Sequence, residues 1–111
     1  TTLGMIQKGM TSVTAASKTT YTAVANDQIV VDTAANVVTI TLPATPAVGD
    51  EVTIMDGSAT GGFATNNCVV ARNGSNIEGA ASDDSLTVNN QCVTLIYANA
   101  TKGWLYKSTN Q

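Results

Sequence analysis

From Thr20 onward the chain alternates apolar and polar residues, and Gly, Asn, Asp or Pro breaks the alternation every few positions. A period of two is the spacing at which side chains fall on opposite faces of an extended strand. TYTAV (20–24) and QIVVD (28–32) carry it, separated by the turn-like triplet Ala25, Asn26 and Asp27. VVTITL (37–42) sets Val38, Ile40 and Leu42 on one face and Val37, Thr39 and Thr41 on the other. That is the pattern of a half-buried strand. Pro43 ends it, because Pro has no N–H to give to a ladder. EVTIM (51–55) resumes the alternation with Val52 and Ile54 inward. The connection from Pro43 to Asp50 is longer than a tight hairpin turn, so these strands either pair directly or cross between sheets.

DGSATGGFATNN (56–67) reads as a loop, which Phe63, the only phenylalanine, is expected to pin to the core. CVVAR (68–72) precedes the turn signal Asn73-Gly74-Ser75 and a short piece with Ile77. After the loop GAASDDS (79–85) come LTV (86–88), CVTLIYA (92–98) and GWLYK (103–107). CVTLIYA is apolar at nearly every position, which predicts a central strand buried on both faces. No segment of ten or more residues carries a capped 3.6-residue stripe, so essentially no helix is expected. The fold expected is all-β: a small antiparallel β-sandwich or barrel with an extended N-terminal arm.

The arm is residues 1–18, and residues 19–111 form the single β domain. TTLGMIQKGMTSVTAASK holds neither period for long, and two glycines interrupt it. Leu3, Met5, Ile6 and Met10 are apolar and are the candidate protein-interface positions. Exposing them is unfavourable for a lone monomer, so the segment is a peripheral strand or a tail that docks on another subunit.

Composition narrows the function. Charged residues make up 12% of the chain, about half the usual quarter, so the polar surface is built from Thr, Ser, Asn and Gln. Such a surface suits contact with other protein. The net charge is -3, and Lys8, Lys18, Arg72, Lys102 and Lys107 are scattered singly. Phosphate backbones and anionic membranes need several cations acting together, so neither nucleic acid nor membrane is an expected partner. With no histidine, the usual base for a Ser or Cys nucleophile is missing. The carboxylates Asp50, Asp56, Asp83 and Asp84 sit in expected turns, where Asp bonds its own backbone; Glu51 opens a strand. Asp83 and Asp84 match no cation-loop spacing. No catalytic residue, metal site or cofactor is expected.

Trp104 and Tyr106 share one face of the last strand, with Tyr21 and Tyr97 the other large rings. They are either a sugar-stacking platform or the closure of the core, and a chain with so few large side chains favours the core. Cys68 and Cys92 each open a predicted strand. A disulfide between them would close a loop of about 25 residues and contribute roughly 3 kcal/mol. Nothing marks an oxidising compartment, which favours two buried free thiols.

Three stretches carry a resemblance: TLPA-x-P-x-x-GD (Thr41 to Asp50), ARNGS-x-IEG (Ala71 to Gly79) and the closing aromatic strand around Trp104. Together with the flanking strands, over residues 20–107, the chain resembles a β module of tailed-bacteriophage virion proteins, found in tail fibres, appendages and related structural proteins. The resemblance implies an all-β homotrimer with no catalytic residues, assembled in the host cytoplasm into the virion. A short chain with an apolar arm looks most like a capsid decoration or cement protein, whose partners are its own copies and the major capsid protein or other virion proteins. The alternative is a tail-fibre or receptor-binding module that reads a host surface glycan through turns such as Asp56 to Asn67.

Overall fold

The computed structural model describes residues 10–14 and 19–110, and no described residue is helical. Nine strands form two sheets: β1 (Met10–Thr14), β2 (Thr20–Thr22), β3 (Gln28–Asp32), β4 (Val38–Thr41), β5 (Glu51–Asp56), β6 (Cys68–Ala71), β7 (Asp84–Leu86), β8 (Cys92–Asn99) and β9 (Gly103–Asn110). One sheet has the order β1-β3-β5-β8-β9 and the other β2-β4-β6-β7. Through β6 each strand therefore lies in the opposite sheet from the one before it. The chain winds as a flattened coil, and strands one turn apart pair in parallel: β1 with β3, β2 with β4, β3 with β5, and β4 with β6. Only at the end does it fold back, with β6/β7, β5/β8 and β8/β9 antiparallel.

The all-β, two-layer expectation holds, whereas the antiparallel pairing does not. Both sheets are mixed. The expected turn at Ala25–Asp27 is present, with Asn26 at φ 69°. It carries the chain across the sandwich from β2 to β3 rather than back along a neighbour. The connection from Pro43 to Asp50 crosses in the same way, from β4 to β5. Parallel neighbours need a crossover, and here the crossover is a strand of the facing sheet instead of a helix.

The inner faces follow the period of two. Ile29, Val31, Val52, Ile54, Val93 and Leu95 from one sheet meet Val38, Ile40, Cys68, Val70 and Leu86 from the other, all buried. Each fully buried aliphatic side chain contributes about 1.5–3 kcal/mol of transfer free energy. Phe63, Ile77 and Trp104 belong to the same buried cluster, and Phe63 and Trp104 are completely buried. β8 is central, as expected, but only one of its faces is buried; Cys92, Thr94 and Ile96 on the other are half-buried. The strand expected at LTV (86–88) lies at Asp84–Leu86, because β7 pairs Leu86 with Cys68. Val88 instead begins a turn in which Gln91 N–H donates to the Val88 carbonyl.

Of the arm, Met10–Thr14 forms the edge strand β1, with Met10 in register with Gln28. Leu3, Met5 and Ile6 lie outside the described residues, as do the side chains of β1.

Candidate functional site

The polar chemistry of the chain gathers where the coil closes. β7 and β9 are the last strands of their sheets, and the Tyr106 hydroxyl donates to Asp84 Oδ2 across the gap between them. Asp84 Oδ1 also accepts from Ser85 N–H. The backbone N–H of Tyr106 donates to Glu78 Oε2 at 3.0 Å, and that of Arg72 donates to Asp83 Oδ1 at 2.9 Å. Burial first, then the bond and charge of Asp84, push the Tyr106 phenol above its ordinary range. It stays a neutral donor.

Two adjoining cavities flank this latch and share Asp84. One, of about 220 Å³, is lined by Asp84 to Val88, Gln91, Val93 and Tyr106. The other, of about 240 Å³, is lined by Ile77, Glu78, Ala80, Ser82, Asp83 and Asp84. No Lys or Arg lines either. The groove offers oxygen acceptors and one phenol. Each of its three carboxylates already accepts a hydrogen bond from the protein, so the acids serve as fasteners.

A second cluster surrounds Asp56, the last residue of β5. Its Oδ1 accepts from Ser58 N–H at 3.0 Å, and its Oδ2 accepts from Phe63 N–H at 3.1 Å and Asn90 N–H at 2.9 Å. Burial alone would raise this carboxyl, but the bonds from Ser58, Asn90 and Phe63 outweigh it and hold the group below its ordinary 3.8. Asn89 Oδ1 adds a bond from Ala64 N–H, and Ser58 Oγ accepts from Thr33 N–H. Gly62 must be glycine, because a Cβ there would sit 2.6 Å from Asp56 Oδ2 and its φ is +112°. The loop from Gly57 to Asn67 is thus tied down by oxygens turned inward, and both Asp56 oxygens are engaged in holding it.

The other candidates are also accounted for. Asp50 Oδ2 accepts from Ala47 N–H, and Glu51 pairs with Lys107 at 2.8 Å, an exposed bridge worth little. Among the described residues no three of His, Cys, Asp and Glu gather as a metal site. Both cysteines are free thiols in the structure, the alternative the sequence favoured, though only Cys68 is fully buried. Cys68 is buried, and burial, then the Asp56 charge, push its thiol up to about 12, so it is not a thiolate nucleophile. None of the four large rings is an exposed platform. Trp104 is buried and stacks edge-on to Tyr97, with centroids 5.7 Å apart, and the half-buried Tyr21, Tyr97 and Tyr106 pack on the core. The Tyr21 hydroxyl donates to Asp27 Oδ2.

What remains open is a face. The outer side of the β2-β4-β6-β7 sheet shows two rows in register, Thr20–Thr39–Val69–Ser85 and Thr22–Thr41–Ala71. No position in either row is charged. The sequence shows each Thr, but without the pairing it does not show that they line up. No protein-family model matches the chain, and no curated protein is significantly similar to it.

Proposed function

We propose that this is a non-enzymatic structural protein of a tailed-phage particle, a capsid decoration protein that stabilises the head through protein–protein contact. The observation that carries this reading is the uncharged outer sheet of Thr20, Thr22, Thr39, Thr41, Val69 and Ala71. Faces buried against other proteins are depleted in charge at their centre, and Thr on a pleated surface packs well. The closed polar latch and the inward-turned Asp56 loop support it too, since both spend their reactive groups on holding the fold. The motif resemblance supplies the phage setting.

The test is co-sedimentation of the purified protein with empty expanded heads of the phage that encodes it. Saturable binding at a fixed ratio to the capsid protein is expected. Thr39→Lys with Val69→Lys, which places charge at the centre of the outer sheet, should abolish it. Heads that bind nothing, or bind this variant as well as the wild type, would overturn the reading. A second reading, glycan recognition by a tail-fibre module, is favoured by one feature, the acceptor-lined groove at Asp84 and Tyr106. It predicts binding to host cells that Asp84→Ala weakens.

A further inference from the structure

The two ends of the coil are finished differently. At the β7/β9 end the edges carry guards. Residues 76–79 run along β9, with Trp104 N–H donating to the Asn76 carbonyl, and Glu78 and Gly79 N–H donating to the Trp104 and Lys102 carbonyls. The β8/β9 ladder shifts register in two places, and Asp84 and Lys107 place charge on the last strands. These are the devices by which sheet edges avoid pairing with other chains: cover, irregularity and charge.

At the β1/β2 end none of them is present among the described residues. β1 (MTSVT) and β2 (TYT) contain no charged residue and no Pro. Their ladders to β3 and β4 run without a register shift. The backbone of β2 is turned to match. Thr39 N–H donates to the Thr19 carbonyl and Ala23 N–H to the Thr41 carbonyl. Backbone polar groups change sides at each residue of a strand, so those of Thr20 and Thr22 point away from β4. Among the described residues no strand lies beyond β1 or β2.

We propose that this open end is a self-association site, where the β1 and β2 edges pair with those of a second copy of the chain about a twofold axis. Such an axis perpendicular to the sheets sets β1 antiparallel to its mate and β2 antiparallel to its own, so each sheet continues into the partner. A second copy is the occupant that the charge favours. The chain is acidic overall, at -3, and it meets itself with least repulsion where two edge strands carry no charge. The contact is isologous because a ring built on strand edges needs a free edge at both ends, and the β7/β9 end is guarded. A trimer of the kind the motif resemblance implies would have to use other surfaces. The inference does not depend on where in a particle the protein acts.

Sedimentation equilibrium of the full chain at tens of micromolar tests it. The expected mass is twice the 11.3 kDa of one chain. Thr20→Lys with Thr22→Lys changes only exposed side chains and should halve the mass while leaving the circular dichroism spectrum unchanged. A wild-type monomer, a trimer, or a dimer that survives both lysines would overturn the proposal. So would a monomer that becomes dimeric once residues 1–9 are deleted, since the chain's own leading segment would then be the occupant. Should the lysine variant unfold, amide exchange on the wild type decides. Thr20 and Thr22 N–H must exchange more slowly as concentration rises, and concentration-independent exchange contradicts the dimer.

Discussion

Replacing Asp56 removes the anchor of the loop from Gly57 to Asn67. Three backbone amides lose their acceptor, at 2.9 to 3.1 Å, and one of them belongs to Phe63, which is completely buried. Hydrogen bonds to a charged acceptor are worth about 1.5–3 kcal/mol each. Water can reach the exposed Asn90 amide in the variant, so its loss is largely made up. Two bonds at the low end of that range give a cost of about 3 kcal/mol for Asp56→Ala. Asp56→Asn can keep one oxygen where Phe63 and Asn90 converge, but it turns an NH₂ toward Ser58 N–H. About half the cost, ~1.5 kcal/mol, is expected. Domains of this size have about 5–15 kcal/mol in total, so both shifts are readable in urea melts. The sign of the pH dependence follows from the depressed carboxyl. The stabilisation is present above the unfolded value near 3.8 and is lost as pH falls through the lower folded value. The gap between wild type and Asp56→Asn should therefore be full near pH 6 and shrink on acidification below about pH 4. An Asp56→Ala protein within about 0.5 kcal/mol of wild type at neutral pH would refute the account of this loop.

Three further outcomes are expected. Gly103→Ala should cost about 3 kcal/mol or more, because its Cβ would lie 2.0 Å from the Asn76 carbonyl oxygen at a φ of +72°; a melting temperature within a few degrees of wild type would count against it. Wild type should lose stability as pH rises past about 10, where the unfolded tyrosine ionises and the latched Tyr106 resists. Tyr106→Phe should flatten that limb, and an unchanged alkaline slope would argue against the latch. A thiol reagent at neutral pH should modify Cys92 in the native protein and Cys68 only after unfolding; two unreactive sulfurs in denaturant would indicate a disulfide instead.

The strands were legible because burial writes itself into a period of two: Val38, Ile40, Val52 and Ile54 face inward as their spacing requires. Partner choice was not. A strand that buries one face against a facing sheet has the same pattern whether its neighbour arrives by a hairpin or by a full turn of a coil. The triplet Ala25–Asp27 is thus a valid turn in either topology. CVTLIYA misleads for a related reason, since Cys92 and Ile96 lie on an outer face that is only half-covered. The roles of Asp56, Glu78 and Asp84 depend on groups far along the chain, the Asn90 amide, the Tyr106 amide and the Tyr106 hydroxyl in turn, and no local spacing announces such bonds. The lined-up threonines became visible only when β2, β4 and β6 were set side by side.

The role we propose for this chain is that of a building part of a phage particle. Quantitative mass spectrometry of gradient-purified virions is the sharpest check on it. The account predicts that the chain is present at a fixed copy number, in simple ratio to the major capsid protein, and survives washing in high salt. Its absence from clean particles, with the protein left soluble in the lysate, would contradict it.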